Sequence, residues 1–146
     1  MENKIATTIE QSKKLVELGL NADTADMNYC NASYKGKNYV GEWKLSLQSP
    51  QEAKSILDKS VTDWNTYWEI IPAWSLTSLM NILPAFIYSD NKKYDLYISK
   101  DFDENGYFYS IKYLHELYGN LYTAFDKCFI DAIFKIIVEL KENKLI

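Results

Sequence analysis

The segment Phe86–Ser99, FIYSDNKKYDLYIS, consists of two short apolar runs separated by a polar turn. Aromatic and β-branched residues in runs of this length, bounded by Asp, Asn and Ser, are typical of strands joined by a tight turn. A third run, Tyr107–Leu114, continues the pattern, because every second residue up to Tyr113 is tyrosine or isoleucine. A period of two is typical of a half-buried strand, so this part of the chain is predicted to form consecutive strands.

The segment before these strands is predicted to be a short helix that begins after Ser75 and ends at Pro84. Ser75 is the expected N-cap, and Trp74 then lies at the spacing of a hydrophobic staple with Leu79. Aromatic residues at such positions usually belong to the core, so Trp74 is predicted to be structural rather than part of a ligand site. One apolar face at helical spacing supports the assignment: Leu76, Leu79, Met80 and Leu83.

A longer helix is predicted to begin at Ser49-Pro-Gln-Glu52. This stretch combines a capping serine, a proline at the first helical position and a glutamate three residues after the cap. The helix is expected to continue to Ile71, because Pro72 disfavours the α conformation in the residue before it. Its predicted apolar stripe consists of Ala53, Ile56, Leu57, Val61, Trp64, Trp68 and Ile71.

The chain closes with a predicted long helix from about Leu121 to about Glu142, in which apolar residues recur every three or four positions. The opposite row alternates lysine with carboxylates, as a solvated helix face does. Apolar residues cover more than half of the circumference, so some of them are expected to face a partner rather than the sheet. The buried side is expected to contain Phe125, Cys128, Phe129, Ala132, Ile133, Ile136, Ile137 and Leu140.

The N-terminal third is predicted to contain a helix and a hairpin. Thr7-Thr-Ile-Glu10 matches a capping box, and Gly19 is suited to end the helix in a left-handed conformation. Asn21–Asn31 is polar and is interpreted as a loop. Tyr39–Leu47 alternates like a strand, and Tyr29–Tyr34 is expected to pair with it across a turn at Tyr34–Asn38.

This order of elements predicts an α+β fold with a mostly antiparallel sheet, helices packed on one face and a long C-terminal helix. The length of 146 residues suits a single domain over 1–146. The helix from Ser49 and the C-terminal helix are both expected to pack on one sheet.

All sixteen basic residues are lysine, and the net charge is −4. Without arginine the chain lacks the forked donor that grips phosphate and reads guanine, so nucleic-acid binding is not expected. No apolar run is long enough to span a membrane, and the N-terminus has no secretory pattern, so the protein is predicted to be cytoplasmic and free of membrane. Cys30 and Cys128 are expected to be free thiols.

One motif points to metal chemistry. Asp101–Gly106, DFDENG, matches the opening of a calcium loop, with Asp101, Asp103 and Asn105 as weak candidate ligands. The twelfth position of that loop requires a carboxylate, and here it is Lys112, whose charge would repel the ion. A polar turn is therefore the favoured interpretation, and neither a metal nor calcium dependence is predicted.

No catalytic motif or cofactor fingerprint is present, so no cofactor and no catalytic residue is predicted. Cys128 and His115 are the one candidate nucleophile and base, yet Cys128 belongs to an apolar helix stripe, where thiols are usually inert. A small enzyme whose site is built from carboxylates and tyrosines remains the alternative.

A non-enzymatic protein-binding or assembly module is the favoured function, because tyrosine and tryptophan concentrate at interfaces and twelve tyrosines are present. The partner is expected to be another protein or a second copy of the chain. The predicted contact surface combines one part of the last helix with the neighbouring strand: Ile130, Phe134, Val138, Tyr109 and Tyr113.

Four segments carry a resemblance to a known group: Thr7–Leu15, Ala25–Met27, Ile71–Leu76 and Leu140–Leu145. They resemble an uncharacterised family of small cytoplasmic proteins that recurs in gut Bacteroidetes genomes, phages and mobile elements. Pro-Ala-Trp-Ser-Leu, within Ile71–Leu76, is the most specific of these matches. The resemblance implies a cytoplasmic accessory protein of mobile-element origin, with no established activity.

Overall fold

The computed structural model describes residues 4–34, 39–40, 42–60 and 66–146. The chain divides into two compact units: an N-terminal unit, Ala6–Ser78, and a C-terminal unit, Met1–Ile5 with Leu79–Ile146. Each unit has its own sheet, and the single domain expected over 1–146 stays a prediction. Parts of three predicted elements lie outside the described residues: the turn over 35–38, Gly41 in a strand, and Val61 and Trp64 in a helix.

The sheet of the N-terminal unit is built around β1 (Met27–Tyr34). This strand pairs along one edge with β4 (Thr66–Ala73), and along the other with β2 (Tyr39–Val40) and β3 (Lys44–Ser46), all antiparallel. The predicted hairpin between the Tyr29–Tyr34 region and Tyr39 is therefore confirmed. The strand predicted over Tyr39–Leu47 is divided into two short pieces, and the loop predicted up to Asn31 ends earlier, where β1 begins.

Two helices pack on this sheet, α1 (Ile9–Glu17) and α2 (Pro50–Ser60). The predicted capping box at the N-terminus of α1 is present, but Thr8 and Gln11 form it, one residue later than expected. Gly19 adopts a φ of 85°, and the N–H of Leu20 donates to the carbonyl of Leu15 at 3.0 Å. This bond gives the carbonyl of Leu15, in the last turn of α1, a hydrogen-bond donor, as in a Schellman turn.

The helix predicted from Ser49 to Ile71 is wrong from Thr66 onward, because Thr66–Ala73 forms β4. This strand pairs with β1 along its whole length, from Met27 opposite Ala73 to Tyr34 opposite Thr66. Its aromatic and β-branched residues favour a strand once a partner is available. Pro72 lies inside β4, which pairs with β1 alone among the described strands, so its missing N–H is tolerated as it is on edge strands.

Trp74, directly after β4, joins the parts of the N-terminal unit and is fully buried. Its backbone N–H donates to Thr7 Oγ1 at 3.1 Å, and its carbonyl accepts from the N–H of Thr7 at 2.9 Å. The indole N–H donates to Thr24 Oγ1 at 2.9 Å. The next residue, Ser75, caps α3 (Leu76–Ile82) by accepting from the N–H of Ser78, as the sequence predicts.

The sheet of the C-terminal unit has four antiparallel strands in chain order: β5 (Phe86–Ser89), β6 (Lys92–Asp103), β7 (Gly106–His115) and β8 (Gly119–Asp126). Together with the helices, these antiparallel sheets confirm the predicted α+β class. The predicted turn between β5 and β6 is also confirmed: Asp90 and Asn91 adopt φ angles of 50° and 63°. Two residues of that conformation form the tight hairpin turn whose twist matches that of the flanking strands.

The last helix, α4 (Phe129–Glu142), begins later than predicted, because Leu121–Asp126 belongs to β8. Asp126 ends the strand, and its Oδ1 accepts from the N–H of Cys128 at 2.9 Å. α4 packs on β7 and β8, whereas α2 packs on β4 and β1. The expectation that α2 and α4 share one sheet is therefore wrong. None of the helices in the described ranges combines the length and the apolar character needed to cross a membrane.

The carboxylate of Asp126 anchors the start of α4. Its Oδ2 lies 2.8 Å from the Lys135 ammonium. Partial burial opposes ionisation, but the Cys128 N–H and Lys135 hold the pKa of Asp126 below its ordinary value of 3.8. A carboxylate with a lowered pKa in the folded state stabilises the protein above its unfolded pKa, and this contribution is lost as the pH falls through the folded pKa.

We therefore expect the melting temperature of the wild type to fall more steeply than that of Asp126→Asn as the pH decreases from about 5 to about 2. The asparagine keeps an acceptor for the Cys128 N–H and loses only the charge, which makes it a matched control. Titration of the Asp126 carboxyl carbon by NMR measures the shift directly. A measured pKa at or above 3.8 would contradict this prediction.

Candidate functional site

The C-terminal sheet has two distinct faces, which follow from the strand register. Side chains that face each other across an antiparallel pair point to the same side, so Ile98 with Ile111 and Leu96 with Tyr113 share one face. Ile111 and Tyr113 are fully buried, and the Tyr109 ring stacks on Phe129 of α4 with centroids 4.7 Å apart. This inner face is therefore covered by α4.

The opposite face carries aromatic side chains that are largely exposed. The register places them together, because Phe86 lies opposite Asp95, Tyr97 opposite Lys112 and Ser110 opposite Phe125. Tyr88 is 60% exposed, Phe125 56%, Tyr97 55% and Phe86 43%. We define the outer aromatic face by these four residues and the half-buried ring of Phe108, which lies opposite Asp101.

The rings of the outer aromatic face form two pairs. Phe86 and Tyr88 meet edge to face at 5.5 Å on β5, and Phe108 and Phe125 meet edge to face at 6.1 Å on β7 and β8. Tyr97 lies on β6, between the two pairs. Edge-to-face pairs are mutually stabilising, so the rings are held in place before any partner arrives.

Small hydroxyl residues occupy the middle of this face. Ser99 and Ser110 lie opposite each other on the two central strands, and Ser110 is only 2% exposed. The Ser99 hydroxyl donates to Asp101 at 2.9 Å. These short side chains lie between the large rings of the face.

Charges of both signs border the aromatic rings. The Lys93 ammonium lies 4.5 Å from the centroid of the Phe86 ring and 3.7 Å from Asp95. Lys112 lies beside Tyr97 on the adjacent strand. Because the lysine stems cover apolar surface while their ammonium groups remain solvated, the border can contribute specificity without burying an unpaired charge.

Two of the five residues predicted to form a contact surface are buried in the fold. Ile130 is 3% exposed and Tyr113 is fully buried, so neither can contact a partner. The Tyr113 hydroxyl donates to the carbonyl of Pro84 at 2.8 Å, and its burial raises the pKa of the phenol. Phe134, Val138 and Tyr109 are half-buried. The prediction is wrong for Ile130 and Tyr113 because it placed the tyrosine row of β7 outside, whereas that row packs under α4.

The alternation of β7 contained the signal that was needed. Phe108 and Ser110 alternate with Tyr109 and Ile111, and the isoleucine marks the buried row. Phe108 therefore had to lie on the outer side, together with its cross-strand neighbours. Both rows of β7 contain aromatic residues, so the period of two alone does not say which of them faces solvent.

The candidate calcium motif forms the turn between β6 and β7. Asp103 pairs with Gly106, and the N–H of Asn105 donates to Asp103 Oδ1 at 2.8 Å. Gly106 has a φ of 108°, a conformation that favours glycine. Asp101 lies within β6 and accepts from Ser99, and β7 follows where a calcium loop would lead into a helix. Within the described ranges no group of three His, Cys, Asp or Glu side chains could hold a metal.

The candidate nucleophile and base have structural partners. His115 Nδ1 accepts from the N–H groups of Leu117 at 3.0 Å and Tyr118 at 3.3 Å, which shapes the turn between β7 and β8. Cys128 is the N-cap of α4, rather than part of its interior as expected. These two bonds engage the Nδ1 lone pair of His115 in the backbone turn.

Two carboxylates, Asp26 and Asp126, have a lowered pKa, and each binds the start of a helix. Partial burial of Asp26 opposes ionisation, but the Ser75 hydroxyl and its N–H, which is 2.9 Å away, keep the pKa below the ordinary value. Ser75 caps α3, and Cys128, whose N–H donates to Asp126, is the N-cap of α4. Helix starts are favourable sites for carboxylates, so these shifts have a structural cause.

Comparison with known proteins adds no relative to this description. No protein-family model matches the chain, and no curated protein or solved structure is significantly similar to it. The function is therefore inferred from the chain's own residues, among which the outer aromatic face is the strongest candidate site.

Proposed function

We propose that the protein is a non-enzymatic binding module that contacts another protein through its outer aromatic face. The observation that carries the proposal is the exposure of Tyr88, Tyr97, Phe86 and Phe125 on one face of a single sheet. Exposed apolar side chains scattered singly are normal, whereas a contiguous aromatic patch marks an interaction site. Aromatic residues are also the ones that dominate protein interfaces.

The expected binding energy is sufficient for a specific complex. A fully buried aromatic side chain removes about 150–250 Å² from water, and apolar area contributes about 25 cal/mol per Å². Each ring of this face is already partly covered. Burial of its remaining area by a partner therefore contributes about 2 kcal/mol of favourable binding free energy. Part of the sum offsets the entropy lost on association, which is why a few central rings usually decide the affinity.

The alternative, a small enzyme built from carboxylates and tyrosines, receives less support. Among the described residues, the two carboxylates with a lowered pKa, Asp26 and Asp126, bind helix starts, whereas catalytic carboxylates are expected to converge in a cleft. Tyr113, which has a raised pKa, is buried and bonded to Pro84. Two exposed tyrosines, Tyr88 and Tyr97, lie on an open sheet face, which suits binding better than chemistry.

The proposal includes a cytoplasmic location and an origin in a phage or another mobile element. Cys30 and Cys128 are free thiols, which suits a reducing compartment. The resemblance carried by Ile71–Leu76 and three other segments implies the mobile-element origin. The partner is then a protein of the element or of its host.

The test replaces two rings at opposite ends of the face. Tyr88→Lys/Phe125→Lys is expected to lower the affinity for a specific partner by about tenfold or more, because a lysine cannot be buried unpaired against an apolar surface. Leu117→Lys is the matched control, because Leu117 is 84% exposed in the turn after β7, outside the face. Capture from the source organism, quantified by mass spectrometry, measures the loss.

The proposal fails if the double variant and Leu117→Lys recover the same proteins in the same amounts as the wild type. It also fails if no protein is enriched by the wild type over Tyr88→Lys/Phe125→Lys. Urea denaturation of both variants shows whether a loss of binding reflects the face itself. The double variant breaks both edge-to-face pairs and is expected to lower the free energy of unfolding by about 1–3 kcal/mol, whereas Leu117→Lys is expected to change it by about 0.5 kcal/mol or less.

A further inference from the structure

The strands of the C-terminal sheet differ in length, and this leaves part of one edge open. β5 pairs with β6 only from Lys92 to Asp95, and the N–H of Leu96 donates to the carbonyl of Ala85 at 2.9 Å. Beyond this point β6 continues to Asp103, paired with β7 alone. On its other side, no described strand pairs with residues 97–103.

The register identifies the backbone groups on this open edge. The Leu96 N–H points to the β5 side, and in an antiparallel strand every second residue points the same way. The N–H and C=O groups of Ile98, Lys100 and Phe102 therefore face outward. No hydrogen bond joins any of these six groups to another residue within the described ranges.

Edge strands are usually protected, often by a lysine, because unpaired backbone groups attract other strands. The outer edge of β8 is protected in this way, since Lys135 Nζ donates to the carbonyl of Phe125 at 3.0 Å. On β6 the corresponding lysine is turned away. Lys100 Nζ lies 4.7 Å from the ring centroid of Tyr107 and 5.8 Å from that of Tyr109, both on the β7 side.

We propose that a second copy of this chain pairs with the open edge of β6, antiparallel and about a two-fold axis at Lys100, to form one continuous sheet of eight strands. Self-pairing of an edge is the simplest closed arrangement, since one surface satisfies both copies. The three outward residues of each copy would exchange about six backbone hydrogen bonds across the junction.

The side chains select this register over its neighbours. When the two-fold axis passes through Lys100, Ile98 of each copy lies opposite Phe102 of the other. Phe102 is 72% exposed in the single chain. On the other face, Ser99 lies opposite Asp101 and Tyr97 opposite Asp103, so each carboxylate meets a hydroxyl. Opposed apolar pairs and hydroxyl–carboxylate pairs both stabilise a sheet.

The two adjacent symmetric registers are less favourable. Centring the axis on Asp101 places the two Asp101 carboxylates opposite each other. Centring it on Ser99 places Asp95 of one copy opposite Asp103 of the other and requires the N–H of Leu96, which already donates to Ala85. Like charges directly opposite each other are destabilising. The Lys100 register has one such pair, and both ammonium groups in it are directed toward tyrosine rings of their own chain.

This junction shares Tyr97 with the outer aromatic face, but it is argued from the backbone edge of β6 and does not depend on the proposed function. A two-fold axis perpendicular to the sheet keeps both outer faces on the same side. The dimer would therefore place two outer aromatic faces next to each other on one continuous surface.

The test uses substitutions of Lys100, whose N–H points away from β7. Lys100→Pro removes that N–H and leaves the pairing with β7, so it is expected to be monomeric. Lys100→Thr keeps the N–H and removes the like-charged pair, so it is expected to dimerise at least as strongly as the wild type. Sedimentation equilibrium between about 10 μM and about 1 mM covers the dissociation constants expected for a weak edge-to-edge dimer.

A second variant keeps the test valid if Lys100→Pro fails to fold. Phe102→Asp keeps all backbone donors and places a carboxylate opposite Ile98, so its dimer is expected to be at least about tenfold weaker. Amide NMR spectra of each variant report whether the β6–β7 pairing is intact, and those of the wild type locate the junction at Ile98, Lys100 and Phe102.

A wild type that stays monomeric up to about 1 mM overturns the proposal, as does a Lys100→Pro variant that dimerises like Lys100→Thr. Tyr88→Lys/Phe125→Lys separates the two proposals, because it is expected to lose the protein partner and keep the dimer. If it loses the dimer while Lys100→Pro keeps it, the copies meet through the outer aromatic face and the edge junction is wrong.

Discussion

Trp74→Ala is expected to lower the free energy of unfolding of the N-terminal unit by about 3–5 kcal/mol, the range typical of deleting a buried large aromatic side chain. Trp74 is fully buried, so the substitution opens a cavity in the core. It also removes the indole donor to Thr24, leaving that hydroxyl with one fewer partner. The backbone bonds to Thr7 remain chemically possible, so the loss comes from the side chain.

The matched control is Trp68→Ala, the same substitution six residues earlier in the chain. Trp68 lies in β4 and is 38% exposed, so its removal is expected to cost about 1–2 kcal/mol. Urea denaturation followed by the amide signals of β1 and β4 measures both variants. Equal losses in the two variants would show that Trp74 has no special place in the core. Unchanged stability with loss of a partner would make Trp74 a binding residue.

Ile130→Ala is expected to lower the free energy of unfolding of the C-terminal unit by about 2–4 kcal/mol, as deletion of a buried isoleucine does. Ile130 is 3% exposed in the first turn of α4. The sequence pattern suggested that this residue contacts a partner, which would make the substitution almost neutral for stability. The measurement therefore distinguishes a core residue from a surface residue.

Val138→Ala on the same helix is the control for Ile130→Ala. Val138 is half-buried, so its truncation is expected to cost about 1 kcal/mol or less. Urea denaturation followed by signals of β7 and β8 reports the unit on which α4 packs. A loss below about 0.5 kcal/mol for Ile130→Ala would contradict its burial, because that is the size of a surface effect.

The features that the sequence alone determined are those created by residues close together in the chain. The hairpin turn at Asp90 and Asn91, the Schellman end of α1 at Gly19 and the Ser75 cap of α3 were all predicted, and all are present. Caps and tight turns depend on the conformational preferences of a few consecutive residues. The α+β class followed from the order of such local elements.

Thr66–Ile71 and Leu121–Asp126 were assigned to helices, and only the tertiary structure made them strands. Both segments contain apolar residues at spacings that fit a helix or a strand, so periodicity did not separate the two. The pairing partners decided between helix and strand, because β1 lies alongside the first segment and β7 alongside the second. Strand propensity depends on such neighbours, which lie far away in the sequence.

The position of the candidate site was likewise a tertiary outcome. β7 presents aromatic residues on both faces, Tyr109 on one and Phe108 on the other, so the period of two by itself indicated an aromatic surface without locating it. α4 packs on the Tyr109 face and buries Ile130 and Tyr113. The face left to solvent is decided by where the helix lies, because burying one side of the sheet fixes the other as its surface.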